Sequence, residues 1–276
     1  MSDEVQWKEL GRVAPDGLNE VRLALHWAAQ VVSSVGATLL APAPDDSHTN
    51  LEWLPRFEAL AGRATERGLR AALRIRDLNL LVIDGDGAIV VERAFSGHTL
   101  DEMMDGLSDL AGSPLKRPSS VPPEHPVSAG HKFASPDPAA LEEMSRWFGD
   151  AAIALEELVA TNSEASDVRC WPHHFDIALL IQAGVASDGA PQTIGVGMTP
   201  GDENIPEPYW YVTPWPVLDR SDLPQLDSGG EWRTDEWFGA LLRGTRVVEA
   251  GDGSLQHAAV RAFLQSAVAA GHQLLR

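Results

Sequence analysis

The chain of 276 residues is poor in three things: it has a single cysteine, Cys170, only three lysines, Lys8, Lys116 and Lys132, and no long uninterrupted apolar run. One cysteine excludes an internal disulfide and a four-cysteine zinc cage, and leaves the cytoplasm as the default compartment. With a formal charge of −19, the chain lacks the clustered cations that displace counterions from a phosphate backbone, so no nucleic-acid partner is expected. The longest helix-like segment, 18–40, is interrupted by Arg22, His26, Gln30, Ser33 and Ser34, which argues against a membrane span. Residues 1–10 are acidic and broken by Trp7 and Lys8, unlike a secretory leader. Several motifs are missing as well. There is no Gly-x-x-x-x-Gly-Lys loop, no Gly-x-Ser-x-Gly elbow and no His-Glu-x-x-His helix, and Gly195-Val196-Gly197 lacks the third glycine of a dinucleotide turn.

What is present is enough apolar sequence for a core that needs no metal or disulfide staple. Seven prolines between Ser113 and Pro138 can continue neither a helix nor a central strand. They divide the chain into a half over 1–112, a connector over 113–137 and a half over 138–276. The first half opens with an amphipathic helix, its stripe formed by Leu18, Val21, Leu25, Ala28, Val32, Val35 and Leu39, with Asp16 as N-cap. Alternation over 69–76 gives a strand with Arg70, Arg74 and Arg76 on a solvent face. Asp84-Gly85-Asp86-Gly87 joins two extended runs as a hairpin, and Thr99 with Glu102 makes a capping box for a short helix. The second half carries a helix entered at Asp137-Pro138, strands over 168–183, 193–198 and 209–213, and a last helix from about Gly253. The pattern reads as an α+β fold, antiparallel sheets on long amphipathic helices, in two similar α-β-α halves joined in one unit.

Residues 168–215 hold the densest set of chemistry-bearing side chains. As one strand, 168–181 places Trp171, His173, Phe175 and Ile177 on one face and His174 and Asp176 on the other. His173 then reads as a core histidine. His174 and Asp176, two residues and about 6.6 Å apart along a strand, form a metal-ligating pair for a divalent ion. If Pro172 sits at a bulge, the alternation slips by one and the histidines exchange roles. The loop from Thr199 to Pro208 brings Asp202, Glu203 and Glu207, either as movable carboxylates over the pair or as a solvated acidic tip. Tyr209 and Tyr211 share one strand face and, with Trp171, wall the expected pocket.

The long first helix, Leu51-Glu52-Trp53-Leu54-Pro55, His174-Phe175-Asp176, the Pro-Gly-Asp turn ahead of Tyr209-Trp210-Tyr211, and Phe263-Leu264-Gln265-Ser266 together resemble a family of uncharacterised bacterial proteins, a domain of unknown function. The resemblance covers nearly the whole chain, although Trp171-Pro172-His173-His174 departs from the family pattern. It implies a fold-wide unit and no particular activity. Three functional readings stay open: a small-molecule pocket with metal-assisted hydrolysis, a structural protein in which the same residues form a buried polar network, and a binding module for a cationic ligand. The first is the preferred reading, and the third follows from the acidity and the nine tryptophans. Substrate and oligomeric state are unspecified.

Overall fold

The computed structural model describes residues 6–186, 189–217, 222–235 and 237–276. Along the chain run α1 (Asn19–Leu39), β1 (Glu52–Leu54), β2 (Ala59–Ala61), β3 (Arg70–Arg74), β4 (Asn79–Ile83), β5 (Ile89–Ala94), α2 (Leu100–Ala111), α3 (Pro138–Thr161) and β6 (Arg169–Trp171). They are followed by β7 (Asp176–Val185), β8 (Pro191–Thr199), β9 (Tyr209–Trp215), β10 (Glu231–Arg233), β11 (Gly239–Arg243), α4 (Gly244–Glu249) and α5 (Gly253–Leu274). Helices and antiparallel sheets make an α+β fold. Among the described residues no helix is long and apolar enough to cross a membrane. The elements form two units: Leu18–Ser145 with Arg169–Phe175, and the described parts of Met1–Gly17, Arg146–Val168 and Asp176–Arg276. The passage from one unit to the other falls inside α3, between Ser145 and Arg146.

In the first unit, α1 is not a one-sided helix. It is buried on nearly every side from Val21 to Gly36, so its polar groups need partners. The Arg22 guanidinium donates to Asn19 Oδ1 at 2.7 Å, Ser33 and Ser34 donate to the Gln30 and Val31 carbonyls, and Trp27 Nε1 donates to Pro123 O at 2.9 Å. Thr38 Oγ1 accepts the Lys116 N–H. The proline-rich stretch is therefore held along this helix at two points. Asp16 does not cap α1. A 3-10 turn over Pro15–Leu18 precedes it, and Leu18 occupies the cap position without a side-chain bond.

The first sheet is an antiparallel meander in the order β1-β2-β3-β4-β5. Leu60, Leu73, Leu80 and Val82 are buried on the side where α1 meets β3. The opposite side is not the solvated arginine face expected from alternation. Ala59, Ala61, Ala72, Leu81 and Ile83 form a buried cluster there, and Arg74, 8 % exposed, ion-pairs with Asp77 and Glu92. Short alanines leave room for the long arginine stems to lie over them. Asp84 Oδ1 accepts the Asp86 and Ala88 N–H groups and closes the β4–β5 hairpin, and both bonds of the Thr99/Glu102 capping box are made.

The sheet of the second unit runs β10-β11-β9-β8-β7, all antiparallel. Ile194, Val196 and Met198 of β8 and Trp210 and Val212 of β9 are fully buried on the side covered by α5. A Cβ on Gly271 would lie 3.0 Å from Ile194 Cδ1, so the helix rides close to the sheet. Asp252 caps α5 through the Ser254 and Leu255 N–H groups. Buried Gln256 holds the amino-terminal segment, its Oε1 accepting the Leu10 N–H at 2.8 Å and its Nε2 donating to Leu10 O at 3.0 Å. Trp7 stacks on His257, ring centroids 4.8 Å apart, and Lys8 N donates to Asp150 Oδ1.

Candidate functional site

The expected strand over 168–181 is two strands with a turn between them. β6 stops at Trp171, and Trp171 O accepts from both His174 N and Phe175 N. Pro172 has no N–H to continue a ladder, and Phe175 adopts φ +57. The turn is fastened from α1. His26 Nε2 lies 2.8 Å and Gln30 Nε2 2.7 Å from Pro172 O, and the His26 ring stacks on Phe175 at 5.3 Å. A carbonyl only accepts, so the neutral His26 ring carries its proton on Nε2. Burial lowers the His26 pKa from 6.5 to about 4, against the raising effect of the hydrogen bond to Pro172 O, and Arg22, His174 and His173 lower it further.

This geometry corrects two expectations. His173 is exposed and is not a core residue, and His174, also exposed, lies in the turn and not on a strand beside Asp176. Their rings are neighbours at 4.3 Å, with Trp171 edge-on to His173 at 6.0 Å. Asp176 opens β7 and belongs to the other unit. Among the described residues no group of three or more His, Cys, Asp or Glu is placed to hold a metal ion. Cys170 is buried and in no disulfide, and its backbone is bridged to Leu51.

In the second unit the remaining candidates come together on the sheet face turned away from α5. Tyr209 and Tyr211 do share a face, and each donates its phenol hydrogen to a carboxylate. Tyr211 donates to Asp176. Between β9 and β7 lies β8, where Gly197 stands opposite both Tyr211 and Ala178. A Cβ on Gly197 would be 2.5 Å from the Tyr211 hydroxyl oxygen and 2.7 Å from its Cζ, so the missing side chain is what lets the ring lie across the strand. Tyr209 donates to Asp202 Oδ2 at 2.5 Å. Burial, with the Asp202 bond second, raises the Tyr209 pKa well above its ordinary value.

The acidic loop is engaged in its own construction. Asp202 Oδ1 accepts the Asn204 and Ile205 N–H groups at 2.7 and 2.8 Å, which folds the loop so that buried Ile205 packs with Tyr209 and Leu241. Glu207 Oε2 accepts the Thr245 N–H in the first turn of α4 at 2.8 Å, and its other oxygen lies 3.6 Å from Arg243. Glu203 is exposed. A carboxylate with three donors is held in one position, which suits an anchor better than a movable base.

Beyond the tyrosine pairs the same face opens into a hollow of about 470 Å³. Thr193, Gly195 and Thr213 lie beneath it, Trp215, Trp237 and Phe238 wall it, and Leu180 and Asp235 stand at its edge. Gly195 again clears the floor, since a Cβ there would meet Thr213 Oγ1 at 2.7 Å. Trp215 is 67 % exposed. Phe238 is braced by Trp232, stacked at 5.4 Å, whose own Nε1 donates to Pro224 O. Trp237, Phe238 and Asp235 were not among the residues singled out from the sequence, and β10, β11 and α4 were missed with them. The available signal was the Gly195-Val196-Gly197 alternation, which strips side chains from one face of a strand. Comparison of this chain with family models, curated proteins and solved structures finds no match.

Proposed function

We propose that this chain is a non-catalytic binding protein whose second unit takes an organic cation, an amine or quaternary ammonium group, in the hollow between Trp215, Trp237 and Phe238. One observation carries the reading. Among the described residues the lining combines three aromatic rings with a single charged side chain, Asp235, and contains no lysine, arginine or histidine. Aromatic faces attract a cation through their quadrupole, most strongly when it is desolvated, and the acidity of the chain raises the local concentration of cations. Asp235 also accepts from Arg233 Nε at 2.8 Å, which fixes its direction. The Tyr211–Asp176 and Tyr209–Asp202 pairs then serve as the rigid base of the site. Their engagement favours a scaffold role for these four residues, as in the structural reading of the sequence.

Titration with tetramethylammonium and choline, followed by tryptophan fluorescence at low ionic strength, tests the proposal. Choline is expected to bind more tightly than its neutral isostere 3,3-dimethyl-1-butanol, and added salt should weaken it. Trp215→Ala should reduce choline affinity about fivefold to thirtyfold with little change in melting temperature. Equal binding of choline and the alcohol, or no binding of either, overturns the proposal.

A further inference from the structure

We infer that the first unit carries a separate site for a small amphipathic monocarboxylate. A cavity of about 210 Å³ lies where α1, α2, β3 and β4 meet, lined by Val35, Leu39, Ala71, Val82, Leu107 and Leu110. Its rim is formed by Thr65, Glu66 and Arg67. At roughly 30 Å³ for each water-sized group, the space takes a chain of about seven heavy atoms, and an apolar one, because the lining below the rim offers no polar side chain.

The head group follows from Arg67. The arginines of β3 and of the turn after it have carboxylate partners, Arg70 pairing with Glu52, Arg74 with Asp77 and Glu92, and Arg76 with Glu58, while Arg93 of β5 reaches the Glu102 carbonyl. Among the described residues Arg67 has no carboxylate partner. In a chain with 40 acidic and 21 basic side chains, an unpaired guanidinium beside an apolar opening is the position a ligand anion would fill. Its side chain lies over the end of α2, Nη2 being 3.2 Å from where a Cβ on Gly112 would sit, which places the exposed guanidinium at the mouth. A planar guanidinium fork matches a carboxylate with two parallel hydrogen bonds. Glu66 on the same rim opposes a second negative charge, which selects a monoanion over a phosphate.

The test is calorimetric titration of the full chain with butanoate, hexanoate, octanoate and decanoate. Affinity should rise about threefold to fourfold for each added methylene and level off near octanoate, where the cavity is full. Octylamine and octyl phosphate should bind at least tenfold more weakly. Arg67→Gln should lower octanoate affinity at least tenfold and Arg67→Lys should restore part of it, whereas Trp215→Ala in the other unit should leave it unchanged. A helix-capping role for Arg67 alone would lower the melting temperature of Arg67→Gln with no carboxylate binding to lose. Failure of octanoate to bind the wild-type chain, equal affinity for Arg67→Gln, or preference for octylamine would each overturn the inference.

Discussion

Replacing His26 by glutamine separates the pH response of one buried imidazole from that of the many surface carboxylates. His26 is 4 % exposed and joins α1 to the Pro172 turn, so its folded pKa is depressed to about 4 from 6.5. At neutral pH the ring is uncharged in folded and unfolded chains alike, and the hydrogen bond to Pro172 O is intact. As pH falls below 6.5 the unfolded chain takes up a proton that the folded chain refuses, so stability declines until the folded ring also protonates near pH 4. Each pH unit in that window is worth about 1.4 kcal/mol, and the whole gap sets a ceiling of about 3 kcal/mol. Glutamine removes the titration. Urea unfolding of wild type and His26→Gln between pH 7.5 and 4 should show the variant less stable by about 1 to 2 kcal/mol at pH 7, with that deficit shrinking or reversing by about 2 to 3 kcal/mol at pH 4. The carboxylates are common to both proteins and cancel in the difference. Parallel stability curves across the window would refute the reasoning, because a ring already charged or solvated in the fold contributes no such slope.

Two further substitutions probe close approach and loop construction. Gly36→Ala should destabilise by about 2 kcal/mol or more in thermal melts, although alanine within a helix ordinarily gains about 1 kcal/mol. The His48 carbonyl oxygen occupies the place of the new Cβ, with Thr49 Cα only 3.3 Å away, and a raised melting temperature would refute that approach. Asp202→Ala should cost about 2 to 3 kcal/mol in urea unfolding, because two N–H groups and the Tyr209 hydroxyl lose their acceptor together. Asp202→Asn, which keeps an acceptor oxygen, should cost less, and a loss below about 0.5 kcal/mol for alanine would show that the loop stands without it.

What could be read from the sequence was what a few adjacent residues decide between themselves. The Thr99/Glu102 box and the Asp84 turn close bonds within five residues, and Asp137 caps α3 through the Ala139 N–H. The failures share a different cause. Counting alternation through Pro172 gave one strand because Phe175 is an apolar residue of ordinary strand propensity, yet it sits at positive φ where the His26 ring, far away in sequence, stacks on it. The buried back of α1 was hidden for the same reason, since Pro172 and Pro123 supply the acceptors for His26, Gln30 and Trp27. Tyr209, Tyr211, Asp176 and Asp202 were legible as a cluster by density, but their pairing rests on Gly197 lying opposite Tyr211, a matter of register. The aromatic hollow was out of reach because Trp237 and Phe238 meet Trp215 only through the pairing of β11 with β9.

The clamp of Gln256 on Leu10 sets a schedule for the growing polypeptide. The two residues lie 246 positions apart. At about 5 to 20 residues per second on a ribosome, on the order of ten to fifty seconds pass between the synthesis of the first partner and the second. Throughout that interval Trp7 and Leu10 lack their seat on α5, and the second unit must close late, after translation of α5, by recapturing a segment made 246 residues earlier.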